Sequence, residues 1–281
     1  MTFSINTNAS ALNALQTLSL TNRSLDETQN RVNTGLEVRN AKDNAAVFAI
    51  AQNLRANFEG LDAVKQSLDR SISTADIALA ATESIADLLI QMKEKVVAAA
   101  DVGLDASSRD ALRQDFESLR DQIGIIISNA EFNGTNLLDG NGDIVTAITN
   151  ASATQTISIS HQDLSLGAGT SPGTIILLGA ASTFASAGDA ATLVTAIDSS
   201  ITAVSSSMTA LGAGARAMEN QRIFVDKLSD TIEAGIGNLV DADLARESAR
   251  LQSLQVKQQL GVQALSIANA RPQVILSLFS G

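Results

Sequence analysis

The sequence predicts a mainly α protein: an elongated bundle of long helices, with coiled-coil helices at the two termini and a small β-hairpin region. Three observations carry this. Only two of the 281 residues are proline, so little interrupts a helix. Apolar residues recur at three- and four-residue spacing over runs too long for a compact globule. The Gly, Asn and Asp turn signals gather in the middle of the chain.

Residues 1–36 read as a helix after a short extended start. Leu18, Leu25 and Val32 recur every seven residues behind Leu12 and Leu15, which is the period of a coiled-coil seam. An ordinary amphipathic helix would show a similar stripe. Thr34-Gly35 ends it, and a rod helix over about 41–100 follows. There Leu54, Phe58, Leu61, Leu68, Ile72, Ala75 and Leu79 keep a 3-4 spacing that Leu89, Met92 and Val96 continue. At more than fifty residues this rod is about 75 Å long and must lie beside other long helices.

Asp101-Val102-Gly103 breaks the rod. A helix over 107–129, with Ser107 as its candidate N-cap, carries Leu112, Phe116, Leu119, Ile123 and Ile126 on one stripe. EFNGTNLLDGNGD is turn chemistry, and the alternating segments on either side of Asn150–Ala153 predict a hairpin over 144–160. Residues 162–188 are Gly, Ser, Thr and Ala around an apolar knot at Ile175–Leu178, which predicts a surface loop. A last rod helix over 189–235 carries Ile197, Ile201, Val204, Met208, Leu211, Met218, Val225, Leu228 and Ile232, with Gly212 and Gly214 as a weak spot.

The stretch from Leu239 to Gly281 is helix-forming but is not apolar on one face only. At 100° per residue, Val240, Leu244, Leu251, Leu254, Val262 and Leu265 fall on one side. Val256, Leu260, Ile267, Val274 and Leu278 fall on roughly the other. A helix apolar on two faces needs partners on both. That marks a chain end buried only in an assembly.

Composition excludes much else. The net charge of −11 argues against nucleic acid or an anionic membrane surface, and with no Trp or Tyr nothing suits base or sugar stacking. The N-terminus has neither the basic nor the apolar segment of a cleavable signal, and no run of 18 apolar residues exists. With one histidine, His161, and no cysteine, a zinc site with the usual ligand spacing cannot be built. LLDGNGD lacks the closing Glu of a calcium loop. No catalytic constellation, cofactor cradle or metal site is expected.

Several motifs, in order, resemble bacterial flagellin: SINTNASALNALQ at the start, QNRVNTG (29–35), NAKDNAAVFAIAQNLR (40–55), EFNGTNLLDG (131–140), ESARLQ (247–252) and QALSIANARPQVILSLF (263–279). The resemblance covers nearly the whole chain, and within the family the chain resembles short alphaproteobacterial-like flagellins that lack large outer domains. It implies a structural subunit of the flagellar filament, exported unfolded by the flagellar type III export apparatus with an export chaperone. The absence of cysteine fits such export. The subunit would polymerise with itself, or with other flagellins, beneath a cap and beside hook-associated proteins, outside the cell.

By the same resemblance, residues 1–40 and 238–281 form the inner coiled-coil domain and 41–237 the rod. Assembly would rest on Leu12, Leu15, Leu18, Leu25, Val32, Leu244, Leu251, Leu254, Val256, Leu260, Leu265, Ile267 and Leu278. Thr170, Ser171, Thr174, Ser182, Thr183 and Ser186 are candidate O-glycosylation positions. QMKEKVVAA (91–99) aligns with the stretch that innate immunity reads in enteric flagellins, but Gln91 replaces a basic residue and Lys95 an apolar one, which implies weak receptor activation. The alternatives are a hook–filament junction protein with similar terminal helices, a membrane-acting helical protein and an enzyme. The last two find no support in the residues.

Overall fold

A computed structural model describes residues 8–278, with side chains through residue 270. The chain runs α1 (Ala9–Thr34), α2 (Ala45–Ala99), α3 (Ala106–Asn129), β1 (Glu131–Phe132), β2 (Thr135–Asn136), β3 (Val145–Ile148), β4 (Thr156–Ile159), α4 (Ala187–Val240) and α5 (Leu244–Leu278). It divides into two compact units, one of residues 1–56 with 232–281 and one of residues 57–231. The divisions fall inside α2 and α4, so no linker announces them.

Helix ends follow from local chemistry. Asn8 caps α1 by accepting from the Ala11 amide at 3.0 Å. Gly35, at φ 71°, closes it by donating to Arg31 O at 2.8 Å. The cap of α3 is Asp105 rather than Ser107. Its carboxylate accepts from the Ser108 amide and hydroxyl at 2.9 and 2.7 Å, which holds its acid strength above an ordinary aspartate's. The Arg109 guanidinium donates to the carbonyls of Ala99, Asp101 and Leu104, satisfying the groups that the end of α2 leaves over. α4 runs through Gly235 and Gly237 to Val240. The expected continuous terminal helix breaks instead at Asp241–Asp243, where Asp243 accepts from the Ala245 and Arg246 amides and starts α5.

In the 57–231 unit the buried seam of α2 repeats at 3-4 spacing: Leu61, Val64, Leu68, Ser71, Ala75, Ala78, Thr82, Ile85, Leu89, Met92 and Val96. Ile72 and Leu79 are half-buried beside it, displaced by smaller neighbours. α4 does the same, burying Ser200 and Ser207 while Ile201 and Met208 flank them. Each of these buried hydroxyls donates to the carbonyl four residues earlier, as Ser71 does to Ser67 O and Thr82 to Ala78 O. A hydroxyl satisfied in this way packs as a small, nearly apolar group.

β1 and β2 pair antiparallel across Asn133–Gly134, both at positive φ, the conformation a two-residue Asn-Gly hairpin requires. β3 and β4 pair from Val145↔Ile159 to Ile148↔Thr156, as the alternation predicts. Two glycines receive this hairpin. A Cβ at Gly60 would stand 2.7 Å from Ala151 Cβ, and one at Gly214 would stand 2.7 Å from Ile159 Cγ1. The Ile148 amide donates to Ser67 Oγ at 3.2 Å. Gly214 is therefore a contact requirement on a continuous helix, not a weak spot.

The 162–188 stretch differs from a free surface loop. Leu164, Ile176, Leu178 and Phe184 are buried, and Phe184 meets Phe116 edge-on at 5.6 Å. Arg120 donates to Ser182 O at 2.6 Å, and the Leu177 amide donates to Ser200 Oγ at 2.8 Å. Scattered single anchors have no period to detect, so the sequence pattern hides them. Burial opposes ionisation of Asp163, but hydrogen bonds from Ser165 and Thr174 outweigh it and hold the carboxyl below the usual range. The Thr183 hydroxyl, and after it Arg113, do the same for Glu117.

Candidate assembly interface

α1 and α5 lie side by side and antiparallel: Arg31 meets Glu247, Asn22 meets Gln258, Leu18 stands over Gly261, and Asn8 meets Ala268. Their shared seam is built from Ala11, Ala14, Leu18, Thr21, Leu25, Thr28 and Val32 on α1. On α5 it is Glu247, Leu251, Leu254, Gln258, Gly261, Leu265 and Ala268. The α5 positions 247, 254, 261 and 268 repeat every seven residues, as a coiled-coil seam should. Beyond the pair, Leu36 and Asp241 form an antiparallel bridge. The Glu37 amide donates to Val240 O at 2.7 Å and the Ala242 amide to Gly35 O at 2.8 Å. Beneath this bridge Val38, Ala51 and Val240 are buried together against Leu36, Val47, Phe48, Ile236 and Leu239.

Ionic contacts close the same end. Arg31 pairs with Glu27 at 2.7 Å and Glu247 at 3.3 Å, and Arg250 approaches Glu247 at 3.8 Å. The Arg39 amide, with that of Asn40, donates to Asp43 and holds its carboxyl below the usual range. Toward the other end the seam thins to small residues. An open groove of about 500 Å³ lies there, lined by Ser10, Asn13, Ala14, Thr17, Gly261, Ala264, Ile267 and Ala268.

The seam does not consume the apolar surface. Leu12, Leu15, Leu20, Leu244, Val256, Leu260, Val262 and Ile267 are 48 to 62% exposed. Among the sequence-predicted residues, Leu18, Leu25, Val32, Leu251, Leu254 and Leu265 are therefore in the seam, and Leu12, Leu15, Val256, Leu260 and Ile267 face outward. Leu244 and Val262 also face outward, although helical projection grouped them with the seam. Once α4 and α5 separate at Asp241–Asp243, Val240 no longer shares their helix. The side chains of Val274 and Leu278 lie outside the described residues. Sequence reading missed the small and polar seam members Ala11, Ala14, Thr28, Glu247, Gln258, Gly261 and Ala268. A count of sevens from Leu254 would have found three of them.

The candidate modification positions separate. Thr170 and Ser171 are exposed, whereas Ser182 is buried and accepts from the Gly179 amide at 2.8 Å, which corrects its candidacy. Thr174, Thr183 and Ser186 are exposed but engaged with Asp163, Glu117 and Asp189. Among the described residues no group of acidic or histidine side chains could hold a metal ion, and no helix is long and apolar enough to cross a membrane.

Two helices zipped along one face thus leave a row of large apolar side chains exposed on the other. The comparisons identify the family. Residues 5–143 match the bacterial flagellin N-terminal helical region, and residues 194–279 the bacterial flagellin C-terminal helical region. The chain is 47% identical over 276 residues to the flagellin FljM of Caulobacter vibrioides, with 98% of each covered. It is 40% identical over 287 residues to a flagellin of Brucella melitensis, with 99% of each covered. A putative flagellar hook-associated protein from Vibrio parahaemolyticus shares the fold at TM-score 0.56 and 14% identity, over 71% of this chain and all of that one.

The chain belongs to the flagellin family. It is a structural subunit of the flagellar filament that polymerises with itself, and not an enzyme. The family forms the extracellular filament, and nothing favours the hook–filament junction reading.

Proposed function

We propose that the paired α1 and α5, with residues 1–40 and 238–281, form the inner layer of the filament around its channel, and that 41–237 form the surrounding rod. The two-faced character of α1 and α5 carries this reading: one face is spent within the chain and the other awaits neighbouring copies. A heterologous contact of this kind, repeated without closing, generates an open helical filament.

Charge supports the same division of labour. Residues 1–56 and 232–281 hold nine basic and eight acidic side chains, while 57–231 hold ten basic and twenty-two acidic. The unit with the oily faces is nearly neutral, so many copies can be brought together without mutual repulsion. The other unit carries the whole negative charge, which keeps an outer surface soluble. The chain leaves the cell unfolded through the flagellar type III export apparatus, handed over by an export chaperone, and adds beneath the cap on a hook-associated base.

Seeded growth tests the assignment. Purified full chain given short filament fragments should grow long tubes in negative stain, and a chain lacking 239–281 should grow none. A full chain that stays unpolymerised with every seed would refute it.

A further inference from the structure

We propose that the polar contacts across the α1–α5 seam, together with Gly261 beneath Leu18, fix the axial register of the two helices and so decide how the outward apolar side chains of one line up with those of the other before neighbouring copies. The inference rests on the filament reading and adds to it the residues that set assembly specificity.

Helices with two apolar faces and a seven-residue repeat have a built-in ambiguity, because sliding one past the other by seven residues restores most oily contacts. Here the slip is penalised at the two side-chain pairs. In the observed register Arg31 reaches Glu247 at 3.3 Å and the Gln258 amide donates to Asn22 Oδ1 at 2.9 Å. The Asn8 amide donates to Ala268 O at 2.8 Å. Moved by one heptad, Asn22 faces Leu251 or Leu265, and Arg31 faces Leu254 or leaves α5 altogether.

Leu18 marks the same register sterically. A Cβ on Gly261 would lie 3.1 Å from Leu18 Cδ1, tighter than an ordinary contact, so any side chain there would press the leucine out of its present place. Slipped one way it meets Leu254.

The ion pair is poorly arranged for stability alone. Glu247 is buried, and its Oε2 has no hydrogen-bond partner among the described residues. Apolar groups in place of a whole buried ion pair often leave a protein as stable or more so, and the best-attested use of a buried pair is to exclude other alignments.

The chain has no cysteine, so introduced pairs report register directly. Thr28 lies opposite Leu251 in the observed register, between the two pins, and opposite Leu244 after a one-heptad slip. Thr28→Cys with Leu251→Cys and Thr28→Cys with Leu244→Cys are placed in the full chain, each with native pins and with Asn22→Leu, Arg31→Leu, Glu247→Leu and Gln258→Leu together. Intramolecular disulfides are mapped with seeds present, beside growth of the chain without cysteines. With native pins only the 28–251 bond should form. With apolar pins the 28–244 bond should appear beside it and seeded growth should be lost. Thr28→Cys with Gln258→Cys, beside the other three apolar pins, reports a slip the other way; only the 28–251 bond in the apolar variants, or none of the three bonds, overturns the proposal. Failure of the native chain to grow tubes would instead strike the filament reading, while the disulfides still report register.

Discussion

Replacing Val256 and Leu260 with serine tests whether the outward face of α5 drives association. Both side chains are more than half exposed in the chain, at 55 and 59%, so neither supports the α1–α5 pair itself. If copies cover them, each change forfeits the remaining apolar burial, about 1 kcal/mol per side chain. The sum, about 2 kcal/mol, raises the critical concentration for growth roughly 30-fold. Sedimentation of seeded mixtures over a concentration series reads that number directly. Leu254→Ser is the contrast: Leu254 is only 8% exposed and faces α1, so its loss should unzip the pair and abolish growth at all concentrations. A double serine variant whose critical concentration stays within about twofold of the parent's, well under the tenfold that 1.4 kcal/mol brings, would show that this face does not drive growth.

Other outcomes follow from the rod unit. Gly212→Ala meets open space and should stabilise by about 0.5–1 kcal/mol through helix propensity, whereas Gly214→Ala pushes on buried Ile159 and should destabilise; thermal melts that rank them the other way would contradict the hairpin contact. The folded-state pKa values of Asp163 and Glu117 are depressed, so their contribution is present above the ordinary carboxylate range near pH 4 and is lost as pH falls through the lowered values. Hydrogen-exchange protection across 162–188, after division by the intrinsic rate at each pH, should fall as pH drops through the acid range by more than protection in mid-α2. If glycans are present, peptide mass spectrometry should find them on Thr170 or Ser171 and not on Ser182. Lys93 and Lys95 are tied to Asp198 and Asp115, and with Gln91 they should give weak innate receptor signalling, measured beside an enteric flagellin.

The long helices were legible because their apolar spacing is regular, and the β3–β4 hairpin because its strands alternate around a turn. What stayed hidden has a physical cause in each case. Ser200 and Ser207 read as polar but bond to their own helix and pack as small groups. Leu164, Ile176 and Phe184 anchor the 162–188 stretch one at a time, which leaves no period. Asp243 reads as a charged helix residue, yet as a cap it splits α4 from α5 and turns the face that Val240 seemed to share with Leu244. The two apolar faces of the C-terminal helix were visible in projection, but the zipped one also carries Glu247, Gln258 and Gly261, which no hydropathy scan weights.

A helical reconstruction of the filament at side-chain resolution shows directly what each outward side chain meets. Leu12, Leu15, Val256, Leu260 and Ile267 should be covered by neighbouring copies, with the Arg31–Glu247 and Asn22–Gln258 contacts kept within each chain. Filaments in which those five side chains face open solvent, or in which α5 pairs with another copy's α1 in place of its own, would contradict the inner-layer assignment.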